Sequence, residues 1–173
     1  MSYTLNYDDL AYPVPFYGTF SFNQYCEGGV AVTASVSLTE GLGYSGYLTF
    51  KLSSDVMLSK DQADGTVYKT ENFKAGVTAY FTGLTITSMV INSSGRFYYP
   101  DYGYVLFTTP IPLTYYGSDV WPTVGQLKIV EDSAPPVDSA TLTALSSISY
   151  QLDIDLGNDG MIDETITGNW ADL

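Results

Sequence analysis

Strict alternation of apolar and polar residues in two segments is the feature that most restricts how this chain can fold. In residues 147–156 every second side chain is apolar, namely Ile148, Tyr150, Leu152, Ile154 and Leu156. Residues 30–39 repeat the pattern with Val30, Val32, Ala34, Val36 and Leu38. Because successive side chains of a β-strand point to opposite faces, this period of two predicts strands that pack one face on a core and turn the other to solvent.

The composition favours the same secondary structure in the rest of the chain. Aromatic residues make up 15% of the 173 residues, and Tyr, Thr, Val and Phe suit a pleated, half-buried surface. Turns containing Gly and Pro separate the β-rich runs, which predicts about nine to eleven strands. We therefore predict one all-β domain over residues 1–173, an antiparallel β-sandwich with almost no helix, with a closed or partly open antiparallel barrel as the alternative. Residues 1–17 are predicted to form an extended arm or an edge strand.

Several segments are predicted to interrupt the strands. Residues 40–43 and 92–95 are rich in turn-forming residues and predict reversals of the chain. Residues 53–66 are interpreted as a loop that holds at most one helical turn. Pro110 and Pro112 argue against a long regular strand around them, because Pro cannot donate a hydrogen bond to a neighbouring strand.

The formal charge of −13 and the absence of His exclude several functional classes. A strongly acidic surface repels nucleic acids and anionic membranes, so neither is expected as a direct partner. Without His, the chain cannot assemble a Ser-His-Asp or Cys-His nucleophile, or a zinc site of the usual His and Cys type. Paired carboxylates could hydrolyse glycosides, but no such pair stands apart from the acidic background, and we predict that the protein is not an enzyme. No apolar run is long enough to span a membrane. Cys26 is the single cysteine and is expected to be a buried or half-buried free thiol.

Carboxylates are concentrated around a predicted tight reversal at residues 157–160. In a hairpin that keeps its register, Asp153, Asp155 and Asp163 lie together on the polar face. No Lys or Arg follows Lys128, and facing like charges destabilise a sheet, so a hard divalent cation, Ca²⁺, is the predicted counter-charge. The predicted ligands are Asp153, Asp155, Asn158, Asp159, Asp163 and Glu164.

This loop matches the EF-hand pattern only in part. With Asp155 at the first position, Asp159 and Asp163 fall at the fifth and ninth positions. Gly157 stands at the third position, where a ligand is expected, and Ile166 stands at the twelfth, where the EF-hand has a bidentate Glu. The alternative is a plain hairpin turn with solvated carboxylates, and adaptation to high salt would also account for the charge.

Residues 97–121 are the most aromatic part of the chain. Exposed aromatic rings beside acidic groups bind sugars in many modules, because the flat apolar face of the ring stacks on the sugar. The alternative is that these rings pack across strands and under loops. The candidate glycan platform consists of Tyr102, Tyr115, Tyr116 and Trp121.

The last third of the chain carries short motifs in a fixed order. They are Thr109-Pro110-Ile111-Pro112, Gly125-Gln126-Leu127-Lys128-Ile129, the loop from Asp155 to Asp163, and Trp170-Ala171-Asp172-Leu173. This order resembles the C-terminal region of a loosely defined group of bacterial secreted proteins and lipoproteins of unknown function, which reads T-P-x-P, G-x-L-x-[IV], D-x-[DN]-G-D-G and W-x-x-L. The chain departs from the group at residues 157–158, which read Gly-Asn where Asn-Gly or Asp-Gly is commoner. The resemblance implies export and a location at the cell surface or envelope, and it implies no particular activity.

Residues 1–4 show neither the basic nor the apolar region of a secretory signal, which leaves a cytosolic protein or a mature exported segment. The resemblance favours the second. We therefore predict a non-catalytic, exported bacterial protein of the cell surface or envelope, structural or adhesive, with a C-terminal hairpin stabilised by Ca²⁺. The alternatives are a carbohydrate-binding module and a filament subunit in which the arm 1–17 adds a strand to a neighbour. The expected partners are glycans, other surface proteins or further copies of the chain.

Overall fold

Eleven β-strands account for most of the chain. A computed structural model describes residues 2–7, 14–133 and 137–172. The strands are β1 (Ser2–Tyr7), β2 (Val14–Glu27), β3 (Val30–Tyr44), β4 (Tyr47–Asp61), β5 (Val67–Thr82), β6 (Thr85–Tyr99), β7 (Gly103–Tyr116), β8 (Val124–Glu131), β9 (Ser139–Ser146), β10 (Ser149–Asp155) and β11 (Glu164–Asn169). The helical structure in these ranges is one 3₁₀ turn at Trp170–Asp172, and no helix there is long and apolar enough to cross a membrane.

The strands pair in the order in which they occur in the chain, so they form one continuous antiparallel meander. β1 and β11 are the two edges of this sheet, and the sheet is not closed into a barrel. The predicted all-β antiparallel fold with almost no helix is confirmed, and the number of strands lies within the predicted range. A single sheet with one apolar face is consistent with a sandwich-like fold.

The register aligns one row of polar residues across the whole sheet. Because residues paired across strands lie on the same face, this row defines what we call the polar face. Each strand contributes one member, in order Thr4, Thr19, Ser37, Ser53, Lys74, Ser94, Thr108, Lys128, Thr141, Asp153 and Thr165.

The opposite side of the sheet, which we call the apolar face, carries most of the large aliphatic and aromatic side chains. Cross-strand pairing places the following residues on it: Leu38, Phe50, Leu52, Val77, Ile91, Leu113, Phe107, Ile129, Leu127, Leu142 and Leu152. The core is therefore one-sided. Leu38 and Val77 are 5% and 8% exposed, and no side chain in the described residues is less than 2% exposed.

Two segments predicted to interrupt strands continue them, so these predictions are wrong. Residues 40–43 lie inside β3, where Gly41 pairs with Phe50 of β4. Residues 53–61 of the predicted loop extend β4, which stays paired with β5 as far as Lys60 and Val67. Pairing with a neighbour on each side stabilises these segments as strands, and this tertiary context outweighs their local preference for turns.

The other two predicted interruptions lie at irregularities within strands. Residues 92–95 belong to β6, and its register with β7 shifts between Ile91 and Ser94, where β7 has the extra residues. The turn-forming residues therefore lie beside a bulge of the neighbouring strand and do not reverse the chain. Pro110 and Pro112 lie inside the 14-residue β7, contrary to the expectation that they prevent a long strand. Between Thr108 and Thr114 the ladder to β8 shifts twice, because Pro lacks the N–H that a regular ladder needs.

The predicted N-terminal arm contributes to two strands. Residues 2–7 form the edge strand β1, which pairs with β2 of the same chain, and residues 14–17 already belong to β2. Residues 8–13 of the arm lie outside the described residues. Cys26 is exposed, so the prediction of a buried or half-buried thiol is wrong. The pairing of β1 with β2 ends at Ser21, which leaves the part of β2 that carries Cys26 without a neighbour on that side in the described residues.

Candidate functional site

The C-terminal hairpin holds the predicted metal ligands at the loop between β10 and β11. Asp155 ends β10 and is 6% exposed. Its Oδ1 accepts a hydrogen bond from the backbone N–H of Asp159 at 3.0 Å, and its Oδ2 accepts one from Gly160 at 3.0 Å. Asp155 therefore closes the loop by satisfying backbone donors that the strands leave unpaired.

Other carboxylates bind the backbone of the same loop. Asp163 Oδ2 accepts the N–H of Leu156 at 2.7 Å, and Asp159 Oδ1 accepts the N–H of Met161 at 2.9 Å. Asp138, which precedes β9 and was not predicted to take part, accepts the N–H of the next loop residue, Gly157, at 2.9 Å. These acids act as hydrogen-bond acceptors that fix the loop.

Asp153 lies apart from this loop, on the polar face. Its Oδ1 accepts hydrogen bonds from Thr165 Oγ1 at 2.7 Å and from Gln151 Nε2 at 2.9 Å. Lys128 reaches the loop instead, because its Nζ donates to Asn158 Oδ1 at 3.2 Å. The inference that no Lys or Arg lies near the hairpin is therefore wrong, because the strand register brings Lys128 of β8 close to it.

The predicted ligands do not gather into a calcium shell in this arrangement. Within the described ranges, no group of three or more His, Cys, Asp or Glu side chains is placed to hold a metal ion. Ca²⁺ takes six to eight oxygen ligands, whereas the carboxylates of Asp155, Asp159 and Asp163 each face backbone N–H donors. Glu164 begins β11, opposite Ile154. Calcium binding at this loop stays a prediction.

The predicted glycan-platform residues lie near opposite ends of β7. Tyr102 precedes the strand, is 82% exposed, and contacts Tyr99 edge-on with ring centres 5.2 Å apart. Tyr115 and Tyr116 end the strand, about 40 Å away at the usual rise per residue, and as neighbours in a strand they point to opposite faces. Burial raises the pKa of Tyr115. The structure therefore does not bring these residues into one surface.

Trp121 takes part in packing between distant segments. Its ring stacks on Trp170 with ring centres 5.5 Å apart and planes within 8° of parallel. Trp170 is 4% exposed, contacts Tyr150 at 5.1 Å, and donates its indole N–H to the carbonyl oxygen of Ser146 at 2.9 Å. These contacts tie the β7–β8 loop to the C-terminal turn, as in the packing interpretation of the aromatic segment.

A charged cluster on the polar face was missed by sequence reasoning. Arg96 of β6 contacts Glu71 at 3.1 Å and also pairs with Asp132, while its guanidinium lies 3.7 Å from the centre of the Tyr104 ring. Hydrogen bonds from Lys69, and then from Arg96, lower the pKa of Glu71. The hydrogen bond to Glu71 raises the pKa of Lys69. No local signal marks this cluster, because only the alignment of β5 to β8 brings its members together.

The apolar face carries two hollows, which sequence reasoning also missed. One, of about 450 Å³, is lined by Phe16, Phe20, Phe22, Val36, Leu38, Leu48, Phe50, Leu52 and Phe73. The second, of about 270 Å³, is lined by Met57, Thr70, Phe73, Phe97, Val105, Phe107, Leu127 and Ile129. Phe73 belongs to both, so the hollows adjoin at this side chain, and no charged side chain lines either one.

The chain exposes more surface than a folded monomer of its size normally does. Its accessible area is 10553 Å², whereas a compact monomer of 18.9 kDa is expected to expose about 8,300 Å². The side chains of the hollows are mostly half-buried, and none of the described side chains reaches full burial. The apolar face therefore has no second layer over it in the described part of the chain.

Comparison with known proteins gives no match. No protein-family model, no curated protein and no solved structure matches this chain.

Proposed function

We propose that the protein is a non-catalytic structural protein that works by binding an extended apolar surface with its apolar face. The observation that carries this proposal is the apolar lining of the adjoining hollows on β2–β5 and on β4–β8. Burial of apolar area contributes about 25 cal/mol per Å², so this face is a substantial source of binding free energy. Contiguous exposed apolar patches of this kind mark interaction sites.

The dimensions of the face favour an extended partner over a small ligand. Eleven strands at the usual spacing give a sheet about 48 Å wide. Small-molecule sites enclose most of the ligand and orient it with a few polar groups. The linings of the two hollows contain a single polar residue, Thr70. Such a surface provides area for association and few groups that could recognise a small molecule.

The proposed place of action is the bacterial cell surface or envelope, where the role is structural or adhesive. The resemblance of the C-terminal motifs to secreted bacterial proteins supports this location. The net charge of −13 supports solubility of a protein that keeps an apolar face. The glycan-binding alternative has less support, because its candidate residues lie far apart. Calcium binding at the hairpin remains a separate prediction, for which calorimetric titration of chelator-treated protein is the test.

Chains that are tethered apart from one another allow a direct test of whether the apolar face binds apolar molecules. Cys26 is exposed and lines a pocket with Thr33 and Lys60, apart from both hollows, so its thiol can tether the protein at low density. We expect tethered chains to bind the neutral apolar dye Nile red. Phe107→Glu should weaken binding, because Phe107 lines the second hollow, whereas Thr108→Glu on the polar face should not. Absence of dye binding by the wild-type chain would contradict the proposal.

A further inference from the structure

We infer that the partner of the apolar face is a second copy of this chain, packed face to face so that the two sheets form a two-layered β-sandwich. This inference rests on the proposed function and names its partner. It also identifies the second layer of the sandwich-like fold. In a sandwich, two sheets lie about 10 Å apart with their inner side chains interdigitated.

The excess accessible area of the chain is large enough for the interface of a stable dimer. The accessible area of 10553 Å² exceeds the value for a compact monomer of this mass by about 2,200 Å². Stable protein–protein interfaces bury about 1,200 to 2,000 Å² in total, counted over both partners. Covering the apolar face once would therefore bring the surface of each copy towards the normal range and still leave an interface of ordinary or larger size.

The chemistry of the face suits an identical partner. A twofold axis places the same patch on both sides of an interface, so the patch must be complementary to itself. Hollows lined by Phe, Leu and Val meet this condition, because an apolar ridge of one copy can enter the hollow of the other. Neither lining carries a charge, so association does not bury unpaired charges at the hollows. The remaining repulsion between the two acidic copies acts through solvent and is screened beyond about 8 Å at physiological salt.

Sedimentation velocity over a range of protein concentrations, in the presence of a reductant to keep Cys26 free, tests this inference. We expect the wild-type chain to sediment with twice the chain mass of 18.9 kDa at micromolar concentration. Phe107→Glu places a charge in each copy's half of the interface and should weaken dimerisation at least a hundredfold. Thr108→Glu adds the same charge at the neighbouring position, on the exposed polar face, and should leave the dimer unchanged.

Two results would overturn the inference. One is a wild-type chain that keeps the mass of a monomer up to millimolar concentration, a measurement that does not depend on how well any variant folds. The other is a Phe107→Glu variant that keeps a native circular dichroism spectrum and dimerises as tightly as the wild type, because the copies would then meet through another surface. A monomeric wild type whose tethered chains still bind Nile red would exclude the second copy and leave the proposed function standing. A monomer that binds no dye would remove both.

Discussion

Asp155 illustrates how backbone hydrogen bonds can stabilise a buried acidic residue on an acidic protein. Both of its carboxylate oxygens accept backbone hydrogen bonds from the loop that it closes. Hydrogen bonds to charged groups contribute about 1.5 to 3 kcal/mol each, which is more than neutral ones contribute. The side chain thus stabilises the loop through these two hydrogen bonds, and the carboxylates of Asp159 and Asp163 also accept backbone hydrogen bonds of the loop.

Asp155→Ala should lower the free energy of unfolding by about 3 kcal/mol or more, because the N–H groups of residues 159 and 160 both lose their charged acceptor. Urea denaturation followed by circular dichroism measures this change. Asp159→Ala is the control, since Asp159 is exposed and accepts a single backbone hydrogen bond. Equal effects of the two substitutions would contradict the assigned role of Asp155.

Glu71 gives a prediction for the dependence of stability on pH. Hydrogen bonds from Lys69 and Arg96 hold its pKa below the ordinary value of 4.5, so the folded state favours the ionised form. The resulting stabilisation is fully present above pH 4.5 and is lost as the pH falls through the lowered pKa of the folded state. We expect Glu71→Gln to reduce the melting temperature at pH 7 and to reduce it much less at pH 3. A difference between wild type and variant that stays constant over this range would exclude the ion pairs as its cause.

At the level of strands, Gly125 fixes the start of β8 against β7. Its φ is +125°, and a Cβ built there would lie 2.5 Å from the carbonyl oxygen of Pro112 and 2.7 Å from the Cα of Leu113. Both atoms belong to the backbone, so they cannot move aside as the end of a side chain can. This contact lies within the irregular stretch of β7 that follows from its prolines.

Gly125→Ala should therefore destabilise the protein by about 3 kcal/mol or more. Gly117→Ala is the matched control, because Gly117 also has a positive φ, of +56°, but no atom lies within 4 Å of the added Cβ. Its cost should stay at about 1 kcal/mol, which is the conformational term alone. Thermal denaturation of the two variants separates the cost of the backbone clash from the conformational cost of a positive φ. A Gly125→Ala variant as stable as Gly117→Ala would rule out the backbone clash.

The strands also show how far the sequence alone predicts this fold. The alternation in residues 30–39 and 147–156 predicts the strand type, because the period of two is a local property. It does not predict where β10 begins and ends, since Ile148 and Leu156 lie in turns outside the strand and are exposed. The continuation of β4 through residues 53–61 and the insertion of Pro110 into β7 depend on neighbouring strands. The Arg96 cluster and the Lys128–Asn158 contact likewise depend on the register of strands far apart in the chain. No local pattern predicts such contacts.

Considered as a whole, the molecule separates charge from apolar area. The Arg96 cluster and the polar row lie on one side of the sheet, and the two hollows lie on the other. A single layer cannot fully bury its apolar face, which explains why no described side chain falls below 2% exposure. The ligands predicted from the sequence are carboxylates of the C-terminal hairpin, whereas the apolar area proposed for association lies on the sheet. The proposed function therefore rests on the apolar face of the sheet, and the calcium prediction for the C-terminal loop is separate from it.

The rate of methionine oxidation by dilute peroxide tests most directly whether the apolar face is covered in solution. Met57 lines the second hollow, whereas Met161 lies on the C-terminal loop and is 69% exposed, so each molecule contains its own reference. In the wild-type protein, mass spectrometry should show Met57 oxidised at least ten times more slowly, relative to Met161, than in the Phe107→Glu variant. If Met57 has the same relative rate in both proteins, the apolar face is open to solvent in the wild type and the account is wrong.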